Sequence, residues 1–226
     1  MAVFLRFLQR AILLVALIIA GIVIFEFLTT AYRKYGQLDA DAYGIFWSRR
    51  EWLWIHIAGG TLAMLLGPVQ FLTQLPRAYP VFHRWTGRCY FVAMLVACAG
   101  AAGLIATTHA GLAFKAAFGA TALAWLVTGL MGLMAIHGMR PQAHRRWMVR
   151  NYLVTLAPIT FRAMIRMPGV MELASPAVMI PTLLWLSWVL PLLVHEGGAF
   201  AIRLVRSTHA MASPGQSGFG TARERE

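Results

Sequence analysis

The chain has 226 residues, 59% of them apolar and only 12% charged, with a formal net charge of +12 and a mean hydropathy of +0.66. Soluble domains carry about 25% charged residues, so this composition excludes a water-dispersed globule, and the bunching of apolar residues into long runs marks membrane spans. In a soluble protein the positive balance would point to nucleic acid; here it has first to be placed relative to the bilayer.

A hydrocarbon core needs about 20 apolar residues per helix, and six runs qualify: roughly 8–29, 52–74, 86–107, 113–137, 147–167 and 176–195. The expected fold is an all-α polytopic membrane bundle: one transmembrane domain over 1–206, then a disordered cytoplasmic tail, 207–226, rich in Ser, Gly and Thr. The first run, Ala11 to Phe25, follows Arg6 and Arg10 as a signal peptide would. It continues apolar to Leu28 without a small-residue cleavage site, which makes it an anchoring helix. The next segment, 30–51, carries Tyr43, Phe46 and Trp47 beside charges, the pattern of a segment lying on the membrane surface.

Gly59, Ala63 and Gly67, then Ala93, Ala97 and Ala101, then Gly129 and Gly132 recur at helical spacing and predict close helix contacts. Pro68, Pro158, Pro181 and Pro191 are expected to bend their helices, with neighbours satisfying the freed carbonyls. Cys89 and Cys98 share the third run about 13 Å apart along a helix axis. That excludes a bridge between them, a disulfide scaffold and a cysteine-based metal site.

Threading six spans puts both termini on one face. With them fall Arg6, Arg10, Arg77, Arg84, Arg88, Arg140, Arg145, Arg146, Arg150, Arg203, Arg206, Arg223 and Arg225, against three acids, Glu196, Glu224 and Glu226. The other face holds Arg33, Lys34, Arg49, Arg50, Lys115, Arg162 and Arg166 against Glu26, Asp39, Asp41, Glu51 and Glu172. The positive-inside rule then sets both termini in the cytoplasm. Much of the net charge is thereby a topology signal, and no nucleic-acid partner is implied.

Polar residues inside spans are costly and point to sites or buried pairs. On the cytoplasmic side the third span opens with His83-Arg84-Trp85-Thr86-Gly87-Arg88 and the fifth with His144-Arg145-Arg146-Trp147-Met148-Val149-Arg150-Asn151. His83, Gly87 and Tyr90 share one helical face, as do His144, Met148 and Asn151. His137 closes the fourth span and Gln70 lies near the end of the second, at similar depth. Arginine and tryptophan at these positions also suit ordinary interfacial anchoring, but anchoring has no need of histidine. A thinner outer cluster contains Glu26, His56, Arg162 and Arg166, with His109 in the loop after the third span. Its simplest reading is a structural ion pair between Glu26 and Arg162.

His56 with Gly67-Pro68-Val69-Gln70, the two histidine–arginine–tryptophan segments, and Thr160-Phe161-Arg162 occur in an order that resembles a family of predicted bacterial membrane proteins, domain of unknown function 2306, over roughly residues 50–195. The resemblance implies a multi-pass bacterial inner-membrane protein and supplies no substrate.

The residues themselves leave several functions open. A haem b held by His83 and His144, with Arg84, Arg88, Arg145 and Arg150 facing its propionates, would make the protein a membrane electron carrier or oxidoreductase component. The arrangement is loosely similar to transmembrane diheme cytochromes b, but an outer haem on His56 lacks a counter-ligand other than His109. The same cations could instead hold an anionic lipid, a quinone or a small anion without redox chemistry. A metal on His83, His137 and His144 ranks last, because surrounding positive charge opposes a dication. An assembly or structural subunit is the fourth reading. No phosphate-binding loop, dinucleotide fingerprint or serine nucleophile elbow is present. Glu26 is the only acid well inside a span, too few for a paired-carboxylate hydrolase.

Overall fold

The computed structural model describes residues 2–74 and 80–211. Arg77, Arg223 and Arg225, with the tail from 212 onward, lie outside the described residues, as do the side chains of Arg6, Arg10 and Arg206. In chain order the helices are α1 (Ala2–Tyr35), α2 (Ala40–Tyr43), α3 (Arg50–Gln74), α4 (Pro80–Thr107), α5 (Leu112–His137), α6 (Pro141–Thr155), α7 (Ala157–Ile165) and α8 (Pro176–Met211), with 3-10 turns at Gly44–Arg49 and Val170–Glu172. No strand occurs among the described residues.

Four stretches are long and apolar enough to cross a membrane: Ala40–Thr73, Pro80–Thr107, Leu112–His137 and Pro176–Val205. The expected fifth span, 147–167, is not one helix. It breaks at Leu156 into α6 and α7, because Pro158 has no amide proton for the carbonyl four residues back. The Leu156 amide caps the end of α6 on the carbonyls of Tyr152 and Val154. At the other end, α8 continues to Met211, into the segment expected to be irregular. Among the described residues, those up to Trp188 form one compact unit and those from Val189 onward another.

Small residues build the centre of the first unit. Ala63, Ala93, Ala97 and Ala101 are buried on the facing sides of α3 and α4. A side chain at Gly59 would strike the backbone of Ala93 and Ala97, and one at Gly100 the backbone of His56, so the two helices meet backbone to backbone. At Gly67 the missing side chain admits the ring of Tyr152 from α6. Pro68 withdraws a donor from the Met64 carbonyl, and the Tyr152 hydroxyl replaces it at 3.0 Å. Gly129 and Gly132 of α5 likewise leave room for Met94, Asn151 and Met148.

The segment before α3 is anchored to the bundle by Tyr43, while Ile45 and Trp47 remain exposed. Tyr43 is 2% exposed and packs with Leu53 and Leu104, donating to the Tyr35 carbonyl at 2.7 Å and accepting from the Trp54 indole. Trp47 stays exposed and sits edge-on to Tyr43. Arg49 is 8% exposed, bonded to the Ile45 carbonyl and stacked over Phe46.

Candidate functional site

Antiparallel threading brings the end of α3, the start of α4, the end of α5 and the start of α6 to one end of the bundle. There, the Thr73 hydroxyl donates to the Val69 carbonyl at 2.8 Å, and its oxygen lies 3.0 Å from His83 Nδ1. Either atom can supply the proton of this contact, which engages His83 Nδ1 and leaves Nε2 without a partner among the described residues. His144 Nδ1 donates to the Gly132 carbonyl of α5 at 2.8 Å, and because a carbonyl only accepts, its Nε2 is likewise the free nitrogen. The two imidazoles stand on different helices, α4 and α6, at the same end of the bundle. Gln70 braces this end of α4 by donating to the His83 carbonyl at 3.1 Å and to the Thr86 hydroxyl, and its amide fills the space beside Gly87.

The arginines flank the imidazoles. Arg88 stacks on Trp85, with 5.0 Å from guanidinium carbon to ring centroid, and Arg150 stacks on Trp147 at 4.8 Å. Both pairs are three residues apart on their helix, so the two entrances repeat the same tryptophan-backed cation. Arg84, Arg88, Arg145 and Arg146 are exposed.

His137 and His56 stand apart from this pair. His137 is exposed and donates from Nδ1 to the Leu133 carbonyl of its own helix. Among the described residues no three of His, Cys, Asp and Glu gather as metal ligands would. His56 lies 14 residues before Gln70 on α3, about 21 Å along the helix. It donates to the Ala97 carbonyl at 2.9 Å and meets Phe118 edge-on, so it is part of α3–α4 packing at the far end. Both cysteines are free, Cys89 exposed and Cys98 buried.

Below the histidines lies a network that the sequence only hinted at. The Trp125 indole donates to Thr155 Oγ1 at 2.8 Å, and the Thr155 and Tyr90 hydroxyls are 2.8 Å apart. Tyr90 donates to Asn151 Oδ1, and Asn151 Nδ2 donates to the Trp125 carbonyl at 2.7 Å and to Thr128 Oγ1 at 3.0 Å. Thr128 passes its own proton to the Ala124 carbonyl at 2.7 Å. Asn151 is fully buried and Tyr90 is 1% exposed, so this closed circuit ties α4, α5 and α6 together out of reach of solvent. Tyr90 and Asn151 were visible as members of the histidine faces; Trp125, Thr128 and Thr155 were not singled out. Their signal is polar groups three and four apart inside apolar runs.

The Glu26–Arg162 pair is corrected. Glu26 instead meets Arg166, one turn further along, at 3.8 Å, and both side chains are mostly exposed. Arg162 points its guanidinium at the Phe27 ring, 5.2 Å away.

No curated protein and no solved structure matches this chain. A family model described as predicted membrane protein, DUF2306, matches residues 53–196, which include both histidine–arginine entrances and the buried network. The chain belongs to the DUF2306 family of predicted membrane proteins.

Proposed function

We propose that the protein crosses a bacterial inner membrane six times, with α6 and α7 together as one broken span and both termini in the cytoplasm. The excess of arginine on the face that holds the termini supports this orientation, and four apolar helices of spanning length support the multi-pass reading. In this topology the His83–His144 end faces the cytoplasm.

The same proposal assigns the histidine pair to haem b and electron transfer. The observation that carries it is the anchoring of both rings: each imidazole is tied through Nδ1 to a neighbouring helix, so that Nε2 is the nitrogen left for a ligand, as in iron-ligating histidines. The residues present fit the group, since two anchored imidazoles would hold the iron and Arg84, Arg88, Arg145 and Arg150 would face the two propionates. Bound there, haem would supply a one-electron iron couple. The chain's own part is to fix both rings, with Thr73 and Gly132 as the second partners and Gln70 holding the start of α4 in place. The test is an absorption spectrum of protein purified from cells given a haem precursor, oxidised and dithionite-reduced. A stoichiometric Soret band that His83→Ala and His144→Ala each abolish is expected. Protein without a Soret band, or a band that survives both substitutions, removes this reading.

A second reading rests on the arginines at the two helix entrances: Arg84, Arg88 and Arg145 are exposed, Arg88 over the Trp85 ring, and such cations suit an anionic group, whether lipid headgroup, quinone or small anion. It predicts haem-free protein whose thermal stabilisation by phosphatidylglycerol is lost in Arg84→Ala and Arg145→Ala.

A further inference from the structure

In the α1–α7 seam, away from the histidines, one guanidinium N–H lacks an acceptor among the described residues. Arg162, in the last turn of α7, has its guanidinium near the Phe27 ring of α1, and its Nη1 is buried without a hydrogen-bond partner among the described residues. The nearest carboxylate on α1, Glu26, is engaged by Arg166 at 3.8 Å. Of two guanidiniums one turn apart, Arg166 takes the one carboxylate of α1, and the α1–α7 seam is left with an excess of positive charge. A buried N–H donor on a charged group is costly to leave unmatched, and native structures supply an acceptor. The aromatic ring beside it restricts the guanidinium, whose N–H fork matches two oxygens of a single anionic group. Arg162 lies beyond the break at Leu156, away from the histidine end. A single charge and two oxygens on one centre describe the anion its guanidinium fork matches, and in a membrane the phosphate of a lipid headgroup is such a group.

We propose that Arg162 binds a singly charged phosphate group at the α1–α7 seam, from a lipid headgroup or from free phosphate. The site is independent of the histidine pair and stands whether or not haem is bound there.

The test uses the full-length protein in detergent, titrated with dioleoylphosphatidylglycerol and followed by native mass spectrometry, with inorganic phosphate as competitor. Wild type is expected to retain one lipid that Arg162→Gln binds about tenfold more weakly, the loss of one charge-assisted contact. Arg33→Gln, which removes an exposed charge from the same end of α1, is expected to bind as wild type does. Displacement by phosphate identifies a free anion as the ligand; retention against phosphate identifies the lipid. Should Arg162→Gln fail to fold, Arg162→Lys keeps the charge but loses the fork, and is expected to bind severalfold more weakly. Equal binding by wild type and the Arg162 variants overturns the proposal, as does an equal loss in Arg33→Gln.

Discussion

The histidine end and the layer beneath it are built from the same two helical faces, yet their polar groups are used in opposite ways. Around Asn151, every donor proton of Trp125, Thr155, Tyr90 and the asparagine amide has an acceptor inside the protein, and the groups are buried. Two turns away, His83 and His144 use one ring nitrogen for anchoring and leave the other unengaged, with exposed arginines alongside. A polar circuit that closes on itself in an apolar interior specifies packing. A cluster that fixes its side chains but leaves coordinating or charged atoms open is organised for something that is not part of the chain. Depth alone does not separate the two, since His83 lies on the same helical stripe as Tyr90.

That division of labour predicts an order of stabilities. Asn151→Ala is expected to have the largest effect, because it removes the acceptor of the Tyr90 hydroxyl and both amide bonds that tie α6 to α5; a loss of about 2 kcal/mol follows from these buried bonds, seen as a lower unfolding midpoint in a detergent titration. Tyr90→Phe removes one link and leaves the asparagine amide bonds to α5, so a loss of about 1 kcal/mol is expected by the same measurement. His83→Ala gives up only a half-buried bond to Thr73 and should cost less than about 1 kcal/mol, while abolishing whatever the pair binds. If His83→Ala destabilises as much as Asn151→Ala, the histidines are structural and the contrast fails. If Asn151→Ala keeps the wild-type midpoint but loses the ligand, the buried circuit belongs to the site.

Much of the frame was legible beforehand. Long apolar runs located the helices, and Gly59, Ala63 and Ala97 foretold the α3–α4 contact, because close approach demands small side chains wherever it occurs. His83 and His144 stood out since histidine in such a setting has no anchoring use. Partner choice was less legible. Glu26 has two arginines one turn apart to choose from, and helical spacing permits either; the approach of α1 to α7 selects Arg166. The anchoring of the segment around Tyr43 was also hidden, because an amphipathic aromatic segment reads the same whether its rings meet lipid or Trp54 and Leu104.

By itself the sequence determined that this is a helical membrane protein, where its helices run and which residue types crowd one end, because bilayer thickness and the cost of buried charge act on local composition. Only the tertiary structure decided that Pro158 splits a helix, that Tyr152 answers the carbonyl freed by Pro68, that both imidazoles are anchored through Nδ1, and that Arg162 Nη1 has no acceptor among the described residues. Each of these depends on which atom of another helix comes within about 3 Å, a distance set by the packing of the whole bundle and written in no single segment of the chain.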